Sequence, residues 1–271
     1  MRALNRTVVT APGLIALGAV LLSVLFGALA IAYSLAPGLL PSAGMRQFFL
    51  GLADCYAKHL PAVYCDSVGY PGGYTTAFGL PFVLLVASLA SLGAPLIIAG
   101  QITESVLILV AFLGCVWLGR QLGLRVWIAC LVSGVFLLSP IVFAQDGYGP
   151  LRIGFALVPL YAGVDLWVAR TVADAPSVKS IFRRLFGCFV VLVLARTFAL
   201  FMDGYSFVMG LLLSGVLLLP VLFDLALKRQ WARTSAIAIG FSVPTVCAYM
   251  VYRLYAGGAI EGPVMPIDFF R

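Results

Sequence analysis

Charge is the scarcest property of this sequence: Asp, Glu, Lys and Arg make up 10% of its 271 residues, against 63% hydrophobic residues and a mean hydropathy of +1.10. A water-soluble domain carries about 25% charged residues, so this composition excludes one and defines a polytopic membrane protein. There is a single histidine, His59, which excludes most imidazole-built metal sites. The sequence has no glycine-rich phosphate loop, no metal-spaced His/Cys set and no Ser-His-Asp candidate. Acids are few, ten against seventeen Lys and Arg, and the net charge is +7. That excess does not point to nucleic acid, because the basic residues fall in short segments between apolar runs, where membrane topology alone accounts for them.

What is abundant is apolar sequence in runs long enough to cross a hydrocarbon layer about 30 Å thick. Backbone groups in lipid must bond internally, so the runs are helices. The chain reads as one all-α membrane domain over 1–271: a bundle of about seven spans, at about 12–35, 96–118, 126–144, 151–168, 185–200, 207–225 and 235–255. Ala28-Leu29-Ala30 has the form of a signal-peptide cleavage site, but the apolar run around it far exceeds the usual 7–15 residues. The segment 36–95 is the one long stretch that does not read as a span, and it becomes the working surface.

Basic residues orient the chain. With the amino terminus inside, seven spans place Arg2, Arg6, Arg120, Arg125, Arg170, Lys179, Arg183, Arg184, Lys228, Arg229 and Arg233 in the cytosol, eleven of the seventeen. Counting Ala77–Leu92 as an eighth span with the same start moves nine of them outside, against the positive-inside tendency. Eight spans with the amino terminus outside misplace only Arg2 and Arg6, and stand second. The preferred topology puts 36–95, the Gln145–Pro150 turn and the Met202–Gly204 turn on the outer face, with a bacterial inner membrane as the expected location.

Within the loop, Pro41–Leu60 carries Phe48, Phe49, Leu52, Tyr56 and Leu60 on one side at near-helical spacing, as in a helix lying at the interface. A turn-rich stretch containing Tyr64, Tyr70, Gly72, Gly73 and Tyr74 follows, then a second interfacial helix, Ala77–Leu92. Gly72-Gly73 lets backbone approach a ligand closely, and Tyr70 and Tyr74 offer flat faces with hydroxyl tips. Cys55 and Cys65 have nine residues between them; an oxidising compartment would let them pair, or leave them as two thiols. Cys115, Cys130, Cys188 and Cys247 fall inside spans as small apolar fillers.

Asp54, Asp66, Asp146 and Asp203 are outer-facing in this topology. Glu104 and Asp165 lie in or near spans, where an ionisable group is paired, neutral or functional. Arg196 is a partner for an anionic headgroup or for one of these acids.

Leu92-Gly93-Ala94-Pro95 leads into a span ending Trp117-Leu118-Gly119-Arg120-Gln121-Leu122-Gly123, and the next span closes at Leu137-Leu138-Ser139-Pro140 and emerges at Gln145-Asp146-Gly147-Tyr148. With the basic inner tail and the long outer loop, this pattern resembles the GT-C glycosyltransferases over residues 1–255. The resemblance implies transfer of a sugar from a polyprenyl-phosphate donor to an acceptor at the outer membrane surface. It further implies an acid in the first outer loop acting as base, matched by Asp66 or Asp54, and a second acid in the next outer turn, matched by Asp146. The family places its first acid at the start of the first interfacial helix, where this chain has Gly44-Met45-Arg46-Gln47. The family's members continue with further spans, so a chain ending at Phe269-Phe270-Arg271 is expected to be a fragment, a compact member or a catalytically incomplete relative.

Inverting glycosyl transfer needs a carboxylate to take the acceptor's proton, and cations or a divalent metal ion to hold the departing phosphate. Arg152, Arg196 and Arg253 are the expected phosphate partners, since guanidinium matches phosphate with paired donors. Asp203-Gly204 reads as a tight turn or as a metal or acceptor ligand. Two other classes stay open: a lipid or solute transporter lined by Glu104, Asp165 and Arg196, and a non-catalytic subunit of a larger membrane complex. Membrane lipids are partners in all three.

Overall fold

A computed structural model describes residues 44–59, 65, 76–139, 142 and 149–259. The expected first span, 12–35, lies outside these residues, as do Asp66, Tyr70, Tyr74 and Asp146. Among the described residues the fold is all-helical, with eight helices and no strand. They are α1 (Gly44–His59), α2 (Leu80–Ser91), α3 (Leu96–Gln121), α4 (Val126–Leu137), α5 (Gly149–Ala173), α6 (Val178–Met202), α7 (Gly204–Leu227) and α8 (Trp231–Ala259).

Five of these, α3 and α5 to α8, are long and apolar enough to cross a membrane. Each is longer than the apolar run that announces it. The runs stop where charges begin, but Gly119-Arg120-Gln121 continues α3, and Lys179, Arg183 and Arg184 are helical in α6 behind the Ser177 cap. The reverse holds for α4: its apolar run extends to Ala144, yet the helix ends at Leu137. Ser139 precedes Pro140, and the ring of a proline crowds the residue before it out of the helical region.

α5 is the hub. Its hydrophobic stretch is 72% buried, against 44, 39, 28 and 28% for α3, α6, α7 and α8, and it packs on all four. The outward faces of the others carry exposed apolar side chains such as Leu113, Phe186, Leu194, Leu212, Phe223 and Leu254. In water such a surface would be costly; in lipid it is the matched solvent.

The ends of the bundle differ chemically. At one end, arginines donate to carbonyls of the last helical turns and of the links between helices: Arg120 to Leu124 at 2.7 Å, Arg170 to Gln121, Arg184 to Thr171 at 2.8 Å and Arg233 to Ala175 at 2.5 Å. We call this the basic end. The opposite, loop end is covered by α1 and α2. The stripe expected on α1 is present as Phe49, Leu52, Ala53 and Tyr56, each at most 1% exposed. It faces α2 and the bundle core, not an open apolar medium, so α1 is a lid helix seated on protein.

Candidate functional site

Three contacts seat the lid. The Gly79 amide donates to the Met202 carbonyl at 3.2 Å, joining the start of α2 to the end of α6. Thr76 donates its amide to the Tyr56 hydroxyl at 3.1 Å and accepts from the Tyr255 hydroxyl at 3.1 Å. Tyr255 and Tyr252 both pack edge-on to Phe201, at 5.2 and 5.3 Å. Gly79 has φ +72°, and a Cβ there would lie 2.8 Å from Pro150 and 2.9 Å from Phe49. Only glycine satisfies both the backbone and the space.

A fourth contact is covalent. Cys55 of α1 forms a disulfide with Cys65, ten positions on, with their Cα atoms 5.8 Å apart. Closing a loop of that length limits the unfolded chain by about 2–3 kcal/mol. The Cys55→Ser variant is therefore expected to melt several degrees lower in detergent and to be cut faster by protease between 60 and 75. Equal melting and cutting rates with and without reductant would show that the bridge carries no stability.

Beneath the lid the interior is polar in a few places. Arg152 of α5 pairs with Glu104 of α3 at 2.9 Å, both side chains at most 2% exposed. Arg196 of α6 pairs with Asp165 of α5 at 2.8 Å, 6 and 5% exposed, and its guanidinium lies 4.6 Å over the Phe241 ring of α8. α5 thus supplies a cation to one neighbour and an anion to another. Arg152 and Arg196, expected as phosphate partners, direct their charge to protein carboxylates across helix contacts. Two cavities of about 10 Å³ flank Asp165, each room for about one water. Tyr161, whose hydroxyl has no hydrogen-bond partner among the described residues, lines the second with Arg196.

Asp203 sits where α6 ends and α7 begins. It is the one residue between the two helices, a tight connection as expected at Asp203-Gly204. Its carboxylate caps α7, accepting from the Tyr205 amide at 3.2 Å, the Ser206 amide at 2.7 Å and the Ser206 hydroxyl at 2.8 Å. It is fully buried, and Gly154 of α5 presses against it so closely that a Cβ there would stand 3.1 Å from Asp203 Cβ. An aspartate holding three donors at a helix start is a cap.

Asp54 is the described acid of the loop end that remains open: its side chain is 49% exposed and pairs with Lys58 at 2.6 Å. Arg253 near the end of α8 is also exposed. Among the described residues no three His, Cys, Asp or Glu side chains cluster as metal ligands would. The sequence pointed to paired or functional roles for Glu104 and Asp165 through the cost of charge in a span. The seating of Gly79 and Thr76 was missed; Gly79 just before Pro81 was the available signal for a helix start.

No protein-family model matches the chain, and no curated protein and no solved structure matches it.

Proposed function

We propose that the chain is a multi-pass membrane glycosyltransferase of the GT-C kind, taking a sugar from a polyprenyl-phosphate donor at the loop end. In this reading seven spans cross a bacterial inner membrane, with the basic end cytosolic. Asp66, or Asp54 in the lid, accepts the acceptor's proton, and Asp146 is the second acid of the site. Arg253, exposed at that end, is the cation suited to the departing phosphate. Tyr70 and Tyr74 supply the sugar's stacking faces.

One observation carries the reading: the described neighbours of both acids converge on the lid. Asp66 directly follows Cys65, which is bonded to α1. Asp146 precedes Gly149 by three residues, and the next residue, Pro150, lies with Phe49 of α1 against the space that a Cβ at Gly79 would fill. The two acids are therefore tethered within a few residues of one structured cap, which is what a two-acid transfer site needs. The transporter reading is less favoured, because Asp165 and Arg196 close on each other beside water-sized cavities in place of a lined passage.

The test is transfer of radiolabelled sugar from synthetic polyprenyl-phosphate donors by the protein in nanodiscs. Loss of a general base costs about 10²–10⁴ in rate, so Asp66→Asn or Asp146→Asn should lower transfer at least a hundredfold with unchanged melting. Undiminished transfer in both variants would remove these acids from the mechanism, and no transfer from any donor would favour the non-catalytic subunit.

A further inference from the structure

At the basic end, the turn between α5 and α6 and the turn between α7 and α8 enclose an open cleft of about 340 Å³, lined by Ser177, Val178, Arg229, Gln230, Trp231 and Arg233 among others. Its volume falls in the range of small-ligand pockets, about 300–1,000 Å³. It is far from the lid and takes no part in the reading above.

The chemistry of its walls is one-sided. Arg233 is held in place by donating to the Ala175 carbonyl and to Gln230 Oε1, so its charge is fixed at the cleft with no carboxylate partner among the described residues. Arg229 is exposed, and its guanidinium has no partner among the described residues. The nearby acid Asp224 is engaged with Lys228 at 2.7 Å; Asp174, exposed at the end of α5, is the other acid of this end. α6 and α8 both begin at this place, and their N-terminal dipole ends add partial positive charge. Trp231 and Val178, 63 and 56% exposed, stand on the rim, and tryptophan with arginine at the end of apolar spans is the pairing found at the headgroup level of a bilayer.

We infer that this cleft binds the phosphate of an anionic phospholipid headgroup. The cleft opens at the termini of helices whose outward faces are apolar, so the ligand arrives along a lipid-covered surface, and its acyl chains lie against the exposed apolar faces of α6 and α8. Two arginines, one of them prepositioned, meet the phosphate oxygens with paired donors.

The experiment uses the full chain in detergent with a fluorescent phosphatidylglycerol, competed by unlabelled phosphatidylglycerol, phosphatidylcholine or inorganic phosphate. Phosphatidylglycerol should compete at least about tenfold better than phosphatidylcholine, and inorganic phosphate at millimolar levels should leave most probe bound. Arg229→Gly and Arg233→Gln should each weaken binding about fivefold, the effect of one basic residue at an anionic surface. Arg229 has φ 55°, a conformation glycine adopts freely, so Arg229→Gly should melt no lower than the parent and its lost affinity cannot be laid to misfolding. Arg125→Gln, at the same end but outside the cleft, should bind as the parent does. Equal competition by the two lipids, full displacement by inorganic phosphate, or an equal loss in Arg125→Gln would overturn the assignment.

Discussion

Asp165→Ala is expected to lose about 3–5 kcal/mol of stability, the cost of leaving one member of a buried ion pair without its counter-charge. Arg196 would then keep only the Phe241 ring, 4.6 Å away, in an interior 5% exposed. A cation over an aromatic face recovers about 2 kcal/mol when desolvated, less than the pair supplies. The double variant Asp165→Leu, Arg196→Met should be much closer to the parent than the single one, because removing both charges leaves nothing uncompensated. Unfolding in mixed micelles, followed by tryptophan fluorescence, of the parent, Asp165→Leu, Arg196→Met and the double variant gives the four corners of that cycle. Equal destabilisation of single and double variants would mean that packing, not charge pairing, sets the value of this site.

Identical Gly→Ala changes at two helical positions should have opposite signs. At Gly114 in α3 a Cβ would stand 2.5 Å from Leu160 Cβ and 3.1 Å from Leu160 Cα on α5. Backbone cannot swing aside as a side-chain tip can, so the α3–α5 contact must open, at a cost of about 1–3 kcal/mol for overpacking. In a membrane this is the contact on which association depends, since lipid gives no apolar drive for helices to meet. At Gly215 in α7 a Cβ meets nothing within 4 Å, so Gly215→Ala should gain up to about 1 kcal/mol from helix propensity alone. Thermal melting of both in one detergent decides it. A stabilised Gly114→Ala would show that the two helices are not in this close contact.

The apolar runs made the long helices legible because length in lipid and length in sequence are the same measurement. α3 and α6 overran their predicted ends because helix continues past the lipid boundary for as long as no residue breaks it. At Asp203-Gly204 the tight connection was legible and the cap was not: aspartate favours turns and helix caps through the same side-chain acceptor, and local sequence does not say which donors it meets. Pairings were the least legible layer. Glu104 and Arg152 are 48 positions apart, Asp165 and Arg196 are 31, and scarcity of charge in spans narrows the choice of partners without fixing it. The lid was half-legible: its amphipathic stripe was visible on α1, but a stripe does not reveal whether lipid or protein covers it.

Asp203 leaves α6 and α7 without slack. With one non-helical residue between them, any extra amino acid there must be absorbed as helix, turning α7 about its own axis by about 100° and carrying Gly210 away from the Tyr161 ring, which a Cβ at Gly210 would meet at 3.7 Å. The connections at 174–177 and 228–230 carry several non-helical residues each and can take up an added one locally. Changes in length are thus absorbed between α5 and α6 and between α7 and α8 but not between α6 and α7, so the phase of α7 relative to α6 is fixed by the connection that cannot stretch.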